Sequence, residues 1–218
     1  MRKKMSSCFI AASLKIVDFK PGEGDIVIAA DYGYKRLSDL GIKPDYIVGD
    51  FDSLGYTPTG ETTIVYPKEK DDTDTILAVD LGFEKGCREF FIFGAVGKRL
   101  DHTISNIQTL LYISERGGRG SLVGKKETLT VLKDGDIEFD KNFTGRISVF
   151  AVGTAKNVTL KGLKYELDDA EIKNSYPIGV SNEFIGEKAS ISVKNGILLI
   201  VYPTTKDRDM VRVKEFGG

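Results

Sequence analysis

The sequence is poor in several residue types, and each shortage excludes a class of protein or site. Its 218 residues include two cysteines, one histidine and no tryptophan. The two cysteines, Cys8 and Cys87, are too few for a disulfide framework, so we expect buried or free thiols in a reducing compartment. A histidine-rich zinc site is excluded because His102 is the single imidazole.

The sequence also lacks a charge surplus and long hydrophobic runs. Its 31 Lys and Arg residues nearly balance 32 Asp and Glu residues. Broad nucleic-acid or membrane-surface binding needs a basic surplus, so we expect neither partner. The apolar run 196–202 is far shorter than the roughly 20 residues that span a bilayer. The apolar stretch after the basic start is short for a signal peptide, so we expect no targeting segment and a cytoplasmic location.

The remaining composition, with 41% hydrophobic and 29% charged residues, is typical of a globular protein. Up to about residue 120, short apolar runs alternate with helical patterns. This alternation predicts an α/β N-terminal domain, an open and largely parallel sheet with flanking helices. The predicted strands cover 8–13, 25–30, 46–49, 63–66 and 89–93, and the predicted helices cover 35–40, 73–85 and 101–116.

After about residue 120 the helical period disappears, which predicts an all-β C-terminal sandwich. The predicted strands cover 122–124, 128–132, 136–139, 146–152, 157–160, 189–193, 197–202 and 210–213. Asp134-Gly135 and Asn195-Gly196 are turn signals, and the second predicts a two-residue type I′ hairpin. We place the two domains at residues 1–122 and 123–218.

The residues with chemical potential are aspartates in two loops of the first half. Asp50 and Asp52 follow a predicted strand, while Asp72 and Asp74 lie at the start of a predicted helix. In an open α/β sheet, ligands bind beyond the carboxyl ends of the strands. If the backbone stays extended, the spacing of Asp50 and Asp52 puts both side chains on one side. Two carboxylates 4 Å apart repel by roughly 4 kcal/mol, so such a cluster favours a divalent cation, and its oxygen ligands suit Mg²⁺.

A simpler interpretation exists for each group. Asp-x-Asp is common in solvated turns, and Asp72 or Thr73 is well placed to cap a helix. The two groups together, with Asp31 at the end of another predicted strand, favour a metal and phosphate site instead.

Residues 94–102 form a third element, a glycine-containing turn between a predicted strand and a long helix. Backbone N–H groups at a helix N-terminus bind phosphate, and Lys98 or Arg99 can add charge-assisted contacts. The turn matches neither the Walker A nor the dinucleotide glycine pattern. Asp101 could instead cap the helix, and His102 could pair with Asn106 on one helix face.

Together these motifs resemble the thiamin pyrophosphokinase (thiamin diphosphokinase) family, and the resemblance covers most of the chain. It is carried by GDFDS at 49–53, KDDTD at 70–74, GAVGKRLDH at 94–102 with Asn106, SNEF at 181–184 and GILLI at 196–200. The resemblance implies a catalytic α/β domain that binds nucleotide and metal, and a β-sandwich for thiamin binding and dimerisation. It also implies ATP as pyrophosphoryl donor, thiamin as acceptor, Mg²⁺ as cofactor and a homodimer with active sites at the subunit interface.

The resemblance further implies roles for individual residues. The implied catalytic residues are Asp50, Asp52, Asp74 and Asp101, the first three also binding metal. The implied ATP- and phosphate-binding residues are Asp31, Asp72, Lys98, Arg99, His102, Ser105 and Asn106, and the implied thiamin-binding residues are Ser181 and Asn182.

The chain departs from the family pattern in two places. The family commonly reads Ala-Asp-Gly-Gly where this chain has Tyr32 in the third position. Some members stack thiamin on a tryptophan, for which Tyr176 or Phe184 could substitute here.

Two other functions stay open from the sequence. One is a different Mg²⁺-dependent Asp-x-Asp transferase that moves a nucleotidyl or glycosyl group and releases a different product. The other is a nucleotide- or thiamin-binding module that does not catalyse a reaction.

Overall fold

The computed structural model describes residues 6–60, 62–69, 71–97, 99–207 and 210–215. The chain forms two compact units, residues 1–125 and 126–218. Each unit has its own set of strands. None of the helices in these ranges has the length and hydrophobicity needed to cross a membrane.

The first unit is a parallel sheet with three helices. Its strands are β1 (Ser7–Ala11), β2 (Ile26–Ala30), β3 (Tyr46–Gly49), β4 (Thr63–Val65), β5 (Glu89–Phe93) and β6 (Arg119–Val123). Its helices are α1 (Gly33–Asp39), α2 (Asp74–Glu84) and α3 (Leu100–Glu115). The strand order is β6-β5-β1-β2-β3-β4, and all neighbours are parallel.

This strand order determines where a ligand site is expected. Strands β2 to β4 extend from one side of β1, and the chain then returns to place β5 and β6 on its other side. The order therefore switches between β1 and β5. In open α/β sheets, the carboxyl ends of the strands at such a switch point border a crevice where ligands bind.

The predicted elements of the first half are present, with bounds shifted by a few residues. Strand β1 is buried along its whole length, which explains its continuous apolar run. The segment predicted at 122–124 as the start of the β-rich half is the end of β6, which pairs with β5 in the first unit.

The second unit is built from antiparallel strands. They are β7 (Glu127–Phe139), β8 (Arg146–Lys161), β9 (Leu167–Lys173), β10 (Asn182–Glu183), β11 (Ala189–Pro203) and β12 (Val211–Glu215). The order is β10-β8-β11-β7, with β12 added to β7 and β9 to β8. Its core includes the aromatic rings of Phe139, Phe143, Phe184 and Tyr202.

The hairpin predicted at Asn195-Gly196 is wrong. Strand β11 runs through this dipeptide, and its register with β7 shifts between Val193 and Ile197, so the dipeptide lies in a bulge. A Cβ added at Gly196 would lie 2.7 Å from Ala155 Cα, so the glycine permits close approach of a neighbouring strand.

The other turn signal and several strand bounds need the same correction. Asp134-Gly135 lies inside β7, which joins two predicted strands, and β8 likewise joins the segments predicted at 146–152 and 157–160. The two dipeptides predicted as turns contact each other, because the Asp134 carboxylate accepts a hydrogen bond from the Gly196 N–H at 2.9 Å. Strands β9 and β10 were not predicted. β9 carries mostly exposed residues and therefore lacks a clear apolar alternation.

Candidate active site

The predicted acidic residues of the first unit lie beyond the carboxyl ends of its parallel strands. Asp31 follows β2 and Asp50 follows the neighbouring strand β3. The Asp31 N–H donates to Val48 O at 2.8 Å. Gly49 has φ 148°, and a Cβ added there would lie 3.1 Å from Asp31 Cα. Glycine at this position therefore lets the two strand ends meet closely.

The Asp31 carboxylate has two different environments. Its side chain is buried, and Oδ2 accepts a hydrogen bond from Ser53 Oγ. Oδ1 is also buried, and no donor in the described part of the chain reaches it. Leaving a buried acceptor without a partner costs free energy, so this oxygen is suited to a cation or a ligand donor. Ser53 belongs to the sequence motif, but it was not predicted as a site residue.

The turn after β3 is not extended. The prediction that the Asp50 and Asp52 side chains lie on one side required an extended backbone, so it is wrong. Phe51 has φ 61° and is 2% exposed, packed into the core of the first unit. This left-handed residue interrupts the strand alternation. The Asp52 N–H instead donates to Asp50 Oδ1 at 3.1 Å. Lys68 Nζ forms an ion pair with the Asp52 carboxylate, which raises the pKa of Lys68.

Helix α2 begins beside the second acidic group. Thr73 caps the helix, with its Oγ1 accepting from the Ile76 N–H at 3.3 Å, so Thr73 rather than Asp72 is the cap. Asp74 lies in the first turn, where the helix dipole favours a negative side chain. Asp72 is exposed and precedes the cap residue Thr73.

The loop of residues 94–99 leads from β5 into α3 and depends on a glycine. Gly94 has φ 68°, and a Cβ added there would lie 2.6 Å from Leu14 O. The Leu14 N–H in turn donates to Gly94 O at 3.0 Å. Any larger residue would separate this loop from the segment that follows β1.

Two side chains of α3 hold the 94–99 loop in place. The buried Asn106 donates through Nδ2 to Ala95 O at 2.8 Å. The Gly97 N–H donates to Thr103 Oγ1 at 3.2 Å. Asn106 therefore bonds to the loop rather than to His102, and Thr103 is a loop contact that was not predicted. Ser105 lies on the same helix, where its carbonyl accepts from Thr109 Oγ1 at 3.2 Å.

Arg99 and Asp101 form an exposed bidentate ion pair at the start of α3. Arg99 Nε lies 3.2 Å from Asp101 Oδ1, and Arg99 Nη2 lies 2.5 Å from Oδ2. The guanidinium lowers the pKa of Asp101 below its ordinary value of 3.8, so the pair is intact at neutral pH and is lost only as the pH falls through the lowered pKa. Asp101 is not the N-cap, His102 is exposed, and Lys98 lies outside the described residues.

The carboxylate oxygens of this region are the type of ligand that a hard divalent cation prefers. Across the described ranges, no three His, Cys, Asp or Glu side chains are grouped to hold a metal ion. Mg²⁺ in nucleotide enzymes is commonly held by one or two carboxylates together with substrate phosphates and water. Asp31 Oδ1, which no donor among the described residues reaches, and the neighbouring Asp50 carboxylate offer the oxygen ligands that such a site needs.

In the second unit, the predicted residue Asn182 holds a neighbouring tyrosine in place. Asn182 is 4% exposed, and its Oδ1 accepts from the N–H groups of Tyr165 at 3.0 Å and Glu183 at 2.9 Å. Its Nδ2 donates to Tyr165 O at 2.6 Å. Ser181, beside it, has φ 60° and donates its N–H to Ser148 Oγ at 3.0 Å. Both side-chain ends of Asn182 are therefore used by the protein backbone.

The aromatic residues of this region differ sharply in exposure. Phe184 is 6% exposed, and its ring centroid lies 5.3 Å from Phe139 and 5.2 Å from Phe143. The prediction that Phe184 could stack on thiamin is wrong, because its ring is buried in the core of the second unit. Tyr165 and Tyr176 are 62% and 68% exposed. Tyr165 was not predicted as a site residue, because its segment KGLKYELDD at 161–169 matches none of the motifs.

Comparison with known proteins identifies the family. The family model for the thiamin pyrophosphokinase catalytic domain matches residues 22–119, and the one for the thiamin pyrophosphokinase vitamin B1 binding domain matches residues 135–198. The thiamine pyrophosphokinase of Bacillus subtilis (strain 168) is 31% identical over 190 residues, covering 84% of this chain and 89% of that protein. The chain belongs to the thiamin pyrophosphokinase family. The predicted family, and an enzyme of this kind, are thereby confirmed.

Solved structures of thiamin pyrophosphokinases share the fold. The crystal structure of the Bacillus subtilis enzyme matches with a TM-score of 0.79 and 28% identity, covering 91% of this chain and 99% of that one. The Geobacillus thermodenitrificans structure matches with a TM-score of 0.78 and 28% identity, and the match covers 94% of this chain and 100% of that one. The site described in the first unit thus lies within the segment that matches the catalytic domain.

Proposed function

We propose that the chain transfers the pyrophosphoryl group of ATP to the hydroxyl of thiamin, giving thiamin diphosphate and AMP in a Mg²⁺-dependent reaction. The thiamin hydroxyl loses its proton and its oxygen bonds to the β-phosphorus. The bond from that phosphorus to the α–β bridging oxygen breaks, and AMP leaves with the oxygen. The observation that carries the proposal is the acidic carboxyl edge of the parallel sheet, which lies in the segment matching the catalytic domain.

The 94–99 loop and the start of α3 would bind the ATP phosphates. Backbone N–H groups at a helix start favour anions, and Arg99 supplies a positive charge that Asp101 orients through two hydrogen bonds. Lys98 and His102 would add contacts to the same phosphates. Transfer of this kind is catalysed mainly by positioning and by charge stabilisation, so the two hydrogen bonds that attach the loop to α3 would contribute directly.

Asp50, Asp52 and Asp74 would hold Mg²⁺, with Asp31 Oδ1 as a further oxygen ligand and Asp72 beside the phosphates. The ion would neutralise charge on the transferred phosphates. Ser53 donates to one oxygen of Asp31, and the other has no donor within the described ranges.

The second unit would recognise thiamin. The B1 binding family model covers residues 135–198, which include Ser181 and Asn182. Because the Asn182 side chain is engaged with the backbone of Tyr165, we assign Asn182 to positioning and Tyr165 to stacking on the ligand. We further propose that the second unit forms a β-sandwich used in dimerisation, that the first unit forms the catalytic domain, and that the active sites of a cytoplasmic homodimer lie at the subunit interface.

Product analysis tests the function. The protein is incubated with ATP, thiamin and Mg²⁺, beside mixtures that each lack one component, and the products are separated by ion-exchange chromatography. Equimolar AMP and thiamin diphosphate, formed only in the complete mixture, are expected. Release of pyrophosphate or a nucleoside diphosphate would indicate a different transferase. Ligand binding without turnover would indicate a binding module.

A further inference from the structure

The two cysteines of the chain are buried together in the first unit, although they lie far apart in sequence. Cys8 is in β1 and Cys87 is in the connection between α2 and β5, and both are 0% exposed. Strand pairing brings them close, because Cys8 is in register with Phe90, only three positions after Cys87.

Both cysteines lie next to Gly82, near the end of α2. A Cβ added at Gly82 would lie 3.0 Å from Cys8 Sγ. The Cys87 N–H donates to Gly82 O at 3.0 Å. Both cysteines therefore lie against the same helical turn, and each shifts the pKa of the other.

We propose that Cys8 and Cys87 are a site of reversible oxidative modification, in which they form an intramolecular disulfide that joins β1 to the α2–β5 connection. The inference is independent of the proposed function. Cys8 lies near the amino end of β1, whereas the candidate active site lies at the carboxyl ends of the strands.

The oxidant class is a low-molecular-weight disulfide, and the reaction balances in two exchanges. The Cys87 thiolate attacks the reagent, which forms a mixed disulfide and releases one thiol. Cys8 sulfur then attacks Cys87 sulfur and releases the second thiol, so the two protein thiols lose two electrons and two protons to the reagent.

Cys87 is the first to react, because it lies in a short connection at a helix end, where local opening exposes it. Cys8 is less accessible, since β1 is paired with a strand on each side. The hydrogen bond from Cys8 also lowers the pKa of Cys87, which increases the fraction present as thiolate.

The test uses the full chain with oxidised glutathione. After incubation, free thiols are blocked in denaturant, and the intact mass and a non-reduced tryptic digest are measured. We expect that neither cysteine takes up the blocking reagent and that the intact mass is about 2 Da below that of the reduced, unblocked chain. The digest should contain a linked pair of peptides with Cys8 and Cys87, and dithiothreitol should reverse all three results. The melting temperature of the oxidised protein should rise by several degrees, because the cross-link closes a long loop.

Two outcomes would overturn the proposal. One is a wild-type protein that keeps both thiols free. The other is a glutathione adduct on Cys87 that persists although Cys8 is present. The variant Cys8→Ala provides the matched control, because it should retain this adduct and show no linked peptides. The digest of the wild-type protein decides the question even if the variant folds poorly. Turnover of the oxidised wild type should be unchanged.

Discussion

At the scale of single residues, the candidate site combines carboxylates held by hydrogen bonds with one buried oxygen, Asp31 Oδ1, that no donor in the described part of the chain reaches. Ser53 holds one oxygen of Asp31, and the Asp52 N–H holds one of Asp50. A charged group left partly unpaired inside a folded unit is unfavourable, so its retention is typical of a binding site. The same contrast predicts which substitutions affect catalysis and which affect stability.

Asp74→Asn should reduce turnover by about 10²–10³-fold, because it removes one charge from the metal and phosphate site. Helix α2 should stay folded, since Thr73 still caps it and the loss of a first-turn charge costs only about 0.3–1 kcal/mol. Steady-state kinetics and circular dichroism check both statements. Asp39→Asn is the matched control, because it removes a carboxylate that pairs with Lys35 on the surface. Near-normal AMP release by Asp74→Asn would remove Asp74 from the site.

Tyr165→Ala should raise the KM for thiamin about tenfold, because it removes a stacking surface worth about 1 kcal/mol or more. The KM for ATP should stay unchanged, and Tyr165→Phe should restore thiamin binding. Kinetics with each substrate varied in turn measures the effect. Tyr176→Ala is the control, since Tyr176 is equally exposed but has no contact with Asn182 among the hydrogen bonds of the described chain. If Tyr176→Ala gave the larger effect, the stacking residue would be Tyr176.

At the scale of elements, residues 94, 95 and 97 of the 94–99 loop are each in contact with a neighbouring segment. Gly94 brings it against the segment after β1, while Asn106 and Thr103 bind it from α3. A loop fixed in this way needs little reordering when it binds phosphate.

Asn106→Ala should therefore raise the KM for ATP about tenfold and leave the KM for thiamin unchanged. The substitution also leaves Ala95 O without its donor, at a cost of about 1–3 kcal/mol of folding free energy. Urea unfolding and ATP-dependent kinetics provide the two measurements. Gln108→Ala, an exposed change on the same helix, should alter neither. A variant that lost stability but kept its affinity for ATP would show that Asn106 is purely structural.

The elements also show what local sequence patterns can predict. Strands and helices of the first half were found because buried parallel strands have continuous apolar runs and α2 has a recognisable cap. Asn195-Gly196 misled because a bulge and a hairpin favour the same residues, and only pairing with distant strands distinguishes them. The turn at Phe51 was missed for a similar reason, since burial of its ring overrides the usual preference against positive φ.

At the scale of the whole molecule, the chain uses one unit for the acidic edge and another for the predicted thiamin contacts. Asp31 and Asp50 were predicted because they follow apolar strands, and the pairing of β2 with β3 places them at one edge of the sheet. Asp74 was predicted because it lies at the start of a helix, and the roles of all three residues stay predictions. The link between Asn182 and Tyr165 could not be predicted, because it depends on an isolated β-bridge between Leu163 and Phe184, which no local pattern indicates.

The proposed homodimer predicts a molar mass of about twice the chain mass of 24.0 kDa. Sedimentation equilibrium over a range of protein concentrations measures it directly. A species that stayed at the chain mass at assay concentrations and still turned over substrate would exclude active sites shared between subunits.

The most direct test of the central claim is the fate of a label in the γ-phosphate of ATP. The protein is incubated with γ-³²P-labelled ATP, thiamin and Mg²⁺, and the labelled products are separated. Pyrophosphoryl transfer predicts that the label enters thiamin diphosphate, in an amount equal to the AMP released and only when thiamin is present. Label recovered in inorganic phosphate or pyrophosphate, with thiamin unmodified, would contradict the account.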